Sequence, residues 1–178
     1  MSVAEILIKT VNFASTKHKH QRRKDEAQTP YINHPLGVAY ILTSEAKIDN
    51  IHVLQAAILH DTVEDTDTTF EEIETEFGVE VCNIVREVTD DKSLTKETRK
   101  KLQVEHAPNS TYEAKLVKLA DKLYNLRDLE NSPPVDWDEN RINQYFNWSK
   151  QVVDGLRGTN EAMEKSLDDI FKRHISCA

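Results

Sequence analysis

The chain has 178 residues, of which 38% are hydrophobic, and a formal charge of −8. That is enough apolar material for one core, and the acidic balance excludes the broad basic surface that general binding to nucleic acid needs. With 4 glycines, 5 prolines and no repeat the chain is neither low-complexity nor a solenoid, and no stretch approaches the ~20 apolar residues of a membrane span.

Met1-Ser2-Val3-Ala4-Glu5 lacks a basic region followed by an apolar one, so a cytoplasmic protein without a membrane partner is expected. A first helix is predicted from about Val3 to Lys19, with Ile6, Leu7, Val11 and Ala14 inward. Gln21 to Asn33 is polar, contains Pro30 and reads as a long loop, a candidate wall of a site. Pro35 suits the first turn of a second helix that continues through Val38, Ile41 and Leu42, which puts His34 at a helix start. A third helix from about Asn50 turns Ile51, Leu54, Ala57 and Ile58 inward and ends on His60 and Asp61. Thr69 with Glu72 resembles a capping box and Gly78 a stop, after which Val81, Ile84, Val85 and Val88 define another helix.

Beyond a charged stretch in which Thr95 is a candidate cap, Ser110 or Thr111 opens a helix with a broad apolar stripe of Tyr112, Leu116, Leu119, Ala120, Leu123 and Leu126. Asn131-Ser132-Pro133-Pro134 reads as an interhelix loop, followed by helices from about Asp138 to Gly155, with Trp148, Val152 and Leu156 inward, and from about Thr159 to His174. No run alternates β-branched residues between hairpin turns, so the expectation is an all-α helical bundle forming a single domain over residues 1–178. Cys82 falls on an apolar stripe and Cys177 near the end, which does not suggest a disulfide framework. Oligomeric state is not encoded in any of these features.

Metal chemistry needs ligands converging from separate elements, and the chain offers His34, the adjacent His60-Asp61, and Asp121. Two imidazoles and two carboxylates suit Mn²⁺, Fe²⁺, Co²⁺ or Zn²⁺, and no nearby cysteine supports a thiolate zinc site. Asp121 lies mid-helix beside the apolar stripe, where an acid needs a partner; a metal ion and an ion pair with Lys118 or Lys122 are the two alternatives. Glu64 and Asp65, one helical turn after His60 and Asp61, would stand over them if the helix continues, so that two acids face one ion; a polar helix end is the plainer reading. Lys17, Lys19, Arg22, Arg23 and Lys24 form a basic cluster in an acidic chain, either a solvated helix end or a seat for a phosphate-rich small ligand. His18, His20, His52, His106 and His174 have no convergent partners in any motif.

The histidine, the adjacent His-Asp pair and the distant aspartate resemble the pattern of HD-domain phosphohydrolases. More narrowly, Thr29-Pro30-Tyr31-Ile32-Asn33-His34-Pro35, His60-Asp61-Thr62-Val63-Glu64-Asp65-Thr66 and Lys118-Leu119-Ala120-Asp121-Lys122-Leu123-Tyr124-Asn125-Leu126 resemble the hydrolase domain of the RelA/SpoT family, in the same order. The resemblance covers the motif-bearing part, about residues 5–156, and leaves a C-terminal helix at about 159–174. In length and in lacking further domains the chain is most similar to the small stand-alone metazoan members.

The resemblance implies a Mn²⁺-dependent enzyme that removes the 3′-pyrophosphate of guanosine 3′,5′-bis(diphosphate), ppGpp, to give GDP and pyrophosphate, and treats pppGpp likewise. It implies His34, His60, Asp61 and Asp121 as metal ligands and Glu64 and Asp65 as catalytic acids. It assigns Arg23 and Lys24 to the substrate phosphates and Asn125 to the wall of the substrate site, with Arg22 as a further neighbour; Tyr31, close to His34, is a candidate to stack on the base, packing on its own domain being the plainer reading, and Arg141 and Tyr145, four apart on a helix, lie within reach of a nucleotide. Lys122 and Tyr124 stand where bacterial relatives commonly have Arg and His, a departure that bears on substrate preference. Two rival functions remain: an HD phosphatase for another nucleotide, such as the 2′-phosphate of NADPH, and a non-catalytic alarmone-binding protein, which the Glu64-Asp65 pair opposes.

Overall fold

The structure, a computed structural model, describes residues 1–175, so Cys177 lies outside the described residues. Cys82 is a buried free thiol whose Sγ lies 3.3 Å from the Phe70 carbonyl. Among the described residues there are ten α-helices, one 3-10 turn at Ala107–Asn109 and no strand beyond an isolated bridge between Arg22 and Pro30. The all-α expectation holds.

Local chemistry sets most of the boundaries. Ser2 and Glu5 form a reciprocal capping box that opens α1 (Val3–Lys17), two residues shorter than expected. In α2 (Asn33–Ser44), Pro35 occupies the first turn. Asn50 accepts from the amides of His52 and Val53 and starts α3 (Ile51–Leu59), in which Val53 through Leu59 are all buried. A helix that is apolar all round must lie inside the protein, and α3 packs on α1, α2, α6 and α8. After α3 the chain forms a single turn, α4 (Thr62–Asp65), then α5 (Phe70–Phe77), capped by Thr69, and α6 (Val79–Val88). Gly78 joins these two at φ 92°, a left-handed conformation that favours glycine.

Thr95 caps α7 (Lys96–His106), a helix with no buried residue; its polarity on all sides leaves no apolar stripe in the sequence to announce it. Thr111 caps α8 (Tyr112–Asn131), Asp138 caps α9 (Glu139–Asp154) and Asn160 caps α10 (Glu161–His174). Tyr112 departs from the expected stripe: as the first residue of α8 it projects at the surface end and is 54% exposed. On α9 the largest fully buried side chain is Phe146, while Trp148 is only partly buried.

Helix α8 crosses α2 closely enough to need a glycine. A Cβ on Gly37 would sit 2.0 Å from Tyr124 Cε2, so only hydrogen leaves room for that ring. The ring in turn packs edge-on against His34, with centroids 4.9 Å apart. The start of α2, the end of α3, the turn α4 and the middle of α8 thus meet at one place.

Candidate active site

His34, in the first turn of α2, and His60, which caps α3, are both buried and point Nε2 at one another across 3.2 Å. The Ala57 carbonyl 2.8 Å from His60 Nδ1 can only accept, so Nδ1 carries a hydrogen and it is Nε2 that His60 turns inward, as a lone pair whenever the ring is neutral. His34 Nδ1 is buried with no partner among the described residues. Asp121 Oδ1 lies 3.2 Å from His34 Nε2 and 3.7 Å from His60 Nε2; Asp61 Oδ2 lies 3.5 Å and 3.1 Å from the same two atoms.

These spacings fit a cation. With metal–ligand bonds of about 2.0–2.2 Å, ligands at right angles stand about 3 Å apart. His34, His60 and Asp121 each offer one donor atom within 4.8 Å of the other two. The donor set is nitrogen and oxygen without sulfur, which suits a divalent ion of intermediate hardness.

Each carboxylate is also held by a hydrogen-bond donor outside the histidine pair. Tyr31 Oη donates to Asp61 Oδ2 at 2.6 Å. Asn125 Nδ2 donates to Asp121 Oδ1 at 2.7 Å, and Lys122 Nζ to Asp121 Oδ2 at 3.1 Å. The metal and the lysine, posed by the sequence as alternatives for Asp121, are therefore compatible: one oxygen faces the histidines and the other the ammonium. Burial raises the Asp121 pKa, but Lys122 and the two histidines outweigh it and hold the carboxyl well below its ordinary value. Burial likewise opposes charge on His60, yet Asp61 and Asp121 lift its pKa well above the usual imidazole range, so the cage attracts positive charge. His34 goes the other way, held neutral chiefly by burial.

The chain does not run through His60 and Asp61 as one helix. Helix α3 stops at Leu59, and Asp61 adopts φ −97° and ψ −4°, in the sparsely populated bridge region, before α4 begins. Glu64 and Asp65 consequently face different spaces. Glu64 lines a 360 Å³ cavity together with His34, His60, Asp61 and Asp121. Its Oε2 accepts from the Asp90 amide at 3.1 Å, and Arg99 Nη1 lies 3.4 Å from Oε1. Burial, then the charges of Asp61, Asp90 and Asp65, push its pKa up to about 7 against the Asp90 hydrogen bond. Asp65 accepts from Gln21 Nε2 at 3.0 Å, pairs with Lys92 and lines an adjoining cavity of 530 Å³.

That second cavity carries the basic loop. Residues 18–32 are folded back on themselves: the Arg23 amide donates to the Thr29 carbonyl, the Tyr31 amide to that of Gln21, and Asp25 accepts from Thr29. Arg23 lines both cavities, and its guanidinium lies over the rings of Tyr31 and Tyr124. Arg23 is not part of a solvated helix end: it keeps 20% of its side-chain exposure and bonds Asp128 at 2.7 Å and Asn125 at 3.2 Å. Lys24 is exposed on the rim, and Arg22 turns its Nη1 onto the carbonyls of Lys19 and Gln21. Tyr145 lines both cavities, whereas Arg141 packs over Trp137 at 4.5 Å and lines neither. His106 reaches the cage cavity; His18 is buried against Tyr31 with Nδ1 on Gln21. Lys92, Arg99 and Asp128 carried no signal in the sequence, because charged residues on polar segments look like any solvated face.

The sequence matches the HD-domain family over residues 10–145. It is 62% identical over 170 residues to the guanosine-3′,5′-bis(diphosphate) 3′-pyrophosphohydrolase MESH1 of Xenopus tropicalis, covering 96% of this chain and 95% of that protein. The Homo sapiens protein of the same name is 60% identical over 172 residues, covering 97% and 96% respectively. A solved structure described as "a metazoan ortholog of SpoT hydrolyzes ppGpp and plays a role in starvation responses" is similar at a TM-score of 0.93, with 54% identity over 94% of each chain. Among the described residues no helix is long and apolar enough to cross a membrane.

Proposed function

The chain belongs to the HD-domain family, and on that premise we propose that it hydrolyses ppGpp to GDP and pyrophosphate, and pppGpp likewise to GTP, with Mn²⁺ as its ion. One observation carries the reading: a two-histidine, two-aspartate cage shares its cavity with a partly buried carboxylate, Glu64, and opens beside a pocket walled by Arg23 and Tyr31. A divalent ion held by His34, His60, Asp61 and Asp121 supplies Lewis acidity toward a phosphoryl oxygen and makes water easier to deprotonate.

The remaining work falls to the side chains. Glu64, with a pKa near neutrality, accepts the proton of the attacking water as the oxygen bonds to the 3′-phosphorus and the bond to the ribose 3′-oxygen breaks. The departing 3′-oxygen takes a proton from solvent water, and Glu64 gives up its own to solvent to complete the cycle. Asp65, on the pocket side, orients Gln21 and Lys92. Arg23 and Lys24 receive substrate phosphates; Asn125 braces Asp121 at the wall. Tyr31 holds Asp61 in place, since burial and the Asp61 charge keep its phenol protonated and able to donate. A protein that only bound alarmone has no use for a carboxylate of raised pKa in the cage cavity, so Glu64 argues against the purely binding role.

Exhaustive chelation should abolish pyrophosphate release and Mn²⁺ should restore it. Turnover that survives metal removal would overturn the assignment.

A further inference from the structure

Glu64 is not fixed by its own short helix. α4 is a single turn, and both carboxylate oxygens are held by groups far away in sequence, on the segment from residue 89 to the end of α7. Arg99 Nη1 approaches Oε1 at 3.4 Å. The Asp90 amide donates to Oε2, and the Asp90 side chain is itself held by Gln103 Nε2 at 2.7 Å. Arg99 and Gln103 lie one turn apart on α7, so the same helix grips Glu64 by two routes.

Helix α7 has no fully buried residue and meets the main core through one partly buried side chain, Val104. What docks it is the edge of the site: Trp148 Nε1 donates to the Lys100 carbonyl at 3.0 Å, and the Lys100 ammonium lies over the Trp148 ring at 4.7 Å. Arg99 is also poorly arranged for stability alone. Its Nε is buried with no partner among the described residues, a cost that an arginine chosen only as a fold brace would avoid, and the Glu64 contact is long for a charge-assisted bond. Long contacts in a substrate-free site are those that tighten in the reacting complex.

We propose that Arg99 is a positioning residue for the reaction: with Gln103 acting through Asp90, it sets the orientation of the Glu64 carboxylate toward the water. The inference rests on the reading of Glu64 as proton acceptor. It predicts a rate effect with little change in substrate binding, because Arg99 acts through Glu64 and not on the nucleotide.

The test is a double-mutant cycle with Arg99→Met and Glu64→Gln, measured as kcat and KM for pyrophosphate release from ppGpp in Mn²⁺, with a thermal melt of each variant. Arg99→Met should lower kcat by up to about 10²-fold with KM within about twofold, and Arg99→Lys should recover part of the loss. In the Glu64→Gln background Arg99→Met should lower kcat no further. Equal fold-losses in both backgrounds, or a folded Arg99→Met protein with the parent's kcat, would overturn the positioning role. If Glu64→Gln alone keeps the parent's kcat, it is the assignment of Glu64 that fails. Should Arg99→Met not fold, Gln103→Leu supplies the same cycle, with a smaller loss expected and the same additivity criterion deciding.

Discussion

Replacing Glu64 with Gln removes an ionisable group from the cage cavity while keeping its shape and an oxygen for the Asp90 amide. Burial and three neighbouring acids lift this carboxyl from its ordinary 4.5 to about 7. A carboxyl raised in the folded state gives a contribution to stability that is complete below about pH 4.5 and is lost as the pH rises through about 7. At about 1.36 kcal/mol per pH unit, that interval corresponds to a ceiling of ~3 kcal/mol at alkaline pH. The side chain keeps 19% of its exposure and can relax, so about 1–2 kcal/mol is the working figure. For a chain of this size each kcal/mol moves the melting temperature by ~2–4 °C. Metal-free Glu64→Gln should therefore melt several degrees above the parent near pH 8, and the gap should close near pH 5. The same substitution deletes the proton acceptor and should lower kcat by ~10²–10⁴-fold with Mn²⁺ present. Circular-dichroism melts in chelator across this pH range, beside a pyrophosphate-release assay, measure both effects. A stability gap that ignores pH, or an undiminished kcat, would refute the reasoning.

Two further outcomes follow from the side chains around the cage. Tyr31→Phe deletes the 2.6 Å bond to Asp61 and should weaken Mn²⁺ binding, read by titration calorimetry, by ~10–100-fold; an unchanged Kd would show that Tyr31 does not brace the ligand. Lys24→Ala should raise KM for ppGpp with a defect that shrinks at high salt, because Lys24 is exposed. Arg23→Ala should raise KM with less salt sensitivity and lower the melting temperature as well, since it strips Asp128 of its partner; a KM equal to the parent's in both variants would return the basic loop to a solvated surface.

How much of this was legible in the sequence depended on whether a residue's role is local. Asn50, Thr69, Thr95, Thr111 and Asp138 cap helices through bonds to amides two or three residues away, so the sequence displays them directly. The four cage residues were legible too, because His34, His60, Asp61 and Asp121 sit at helix ends and beside an apolar stripe where polar groups need a reason. The division between Glu64 and Asp65 was not: it follows from the break after Leu59, which no residue type between Leu59 and Thr62 announces. Nor was the seat of Arg23, whose partners Asn125 and Asp128 lie more than a hundred residues away in the chain. Of helix α7 only the cap, Thr95, was legible, because a helix without a broad apolar face leaves no periodic trace, and the roles of Arg99 and Gln103 went unseen with the rest of it.

The most direct measurement is incubation of the metal-loaded protein with ppGpp and Mn²⁺, with both products identified. GDP and pyrophosphate released in equal amounts is the predicted result. Orthophosphate from NADPH or a mononucleotide, with ppGpp left intact, would contradict the account.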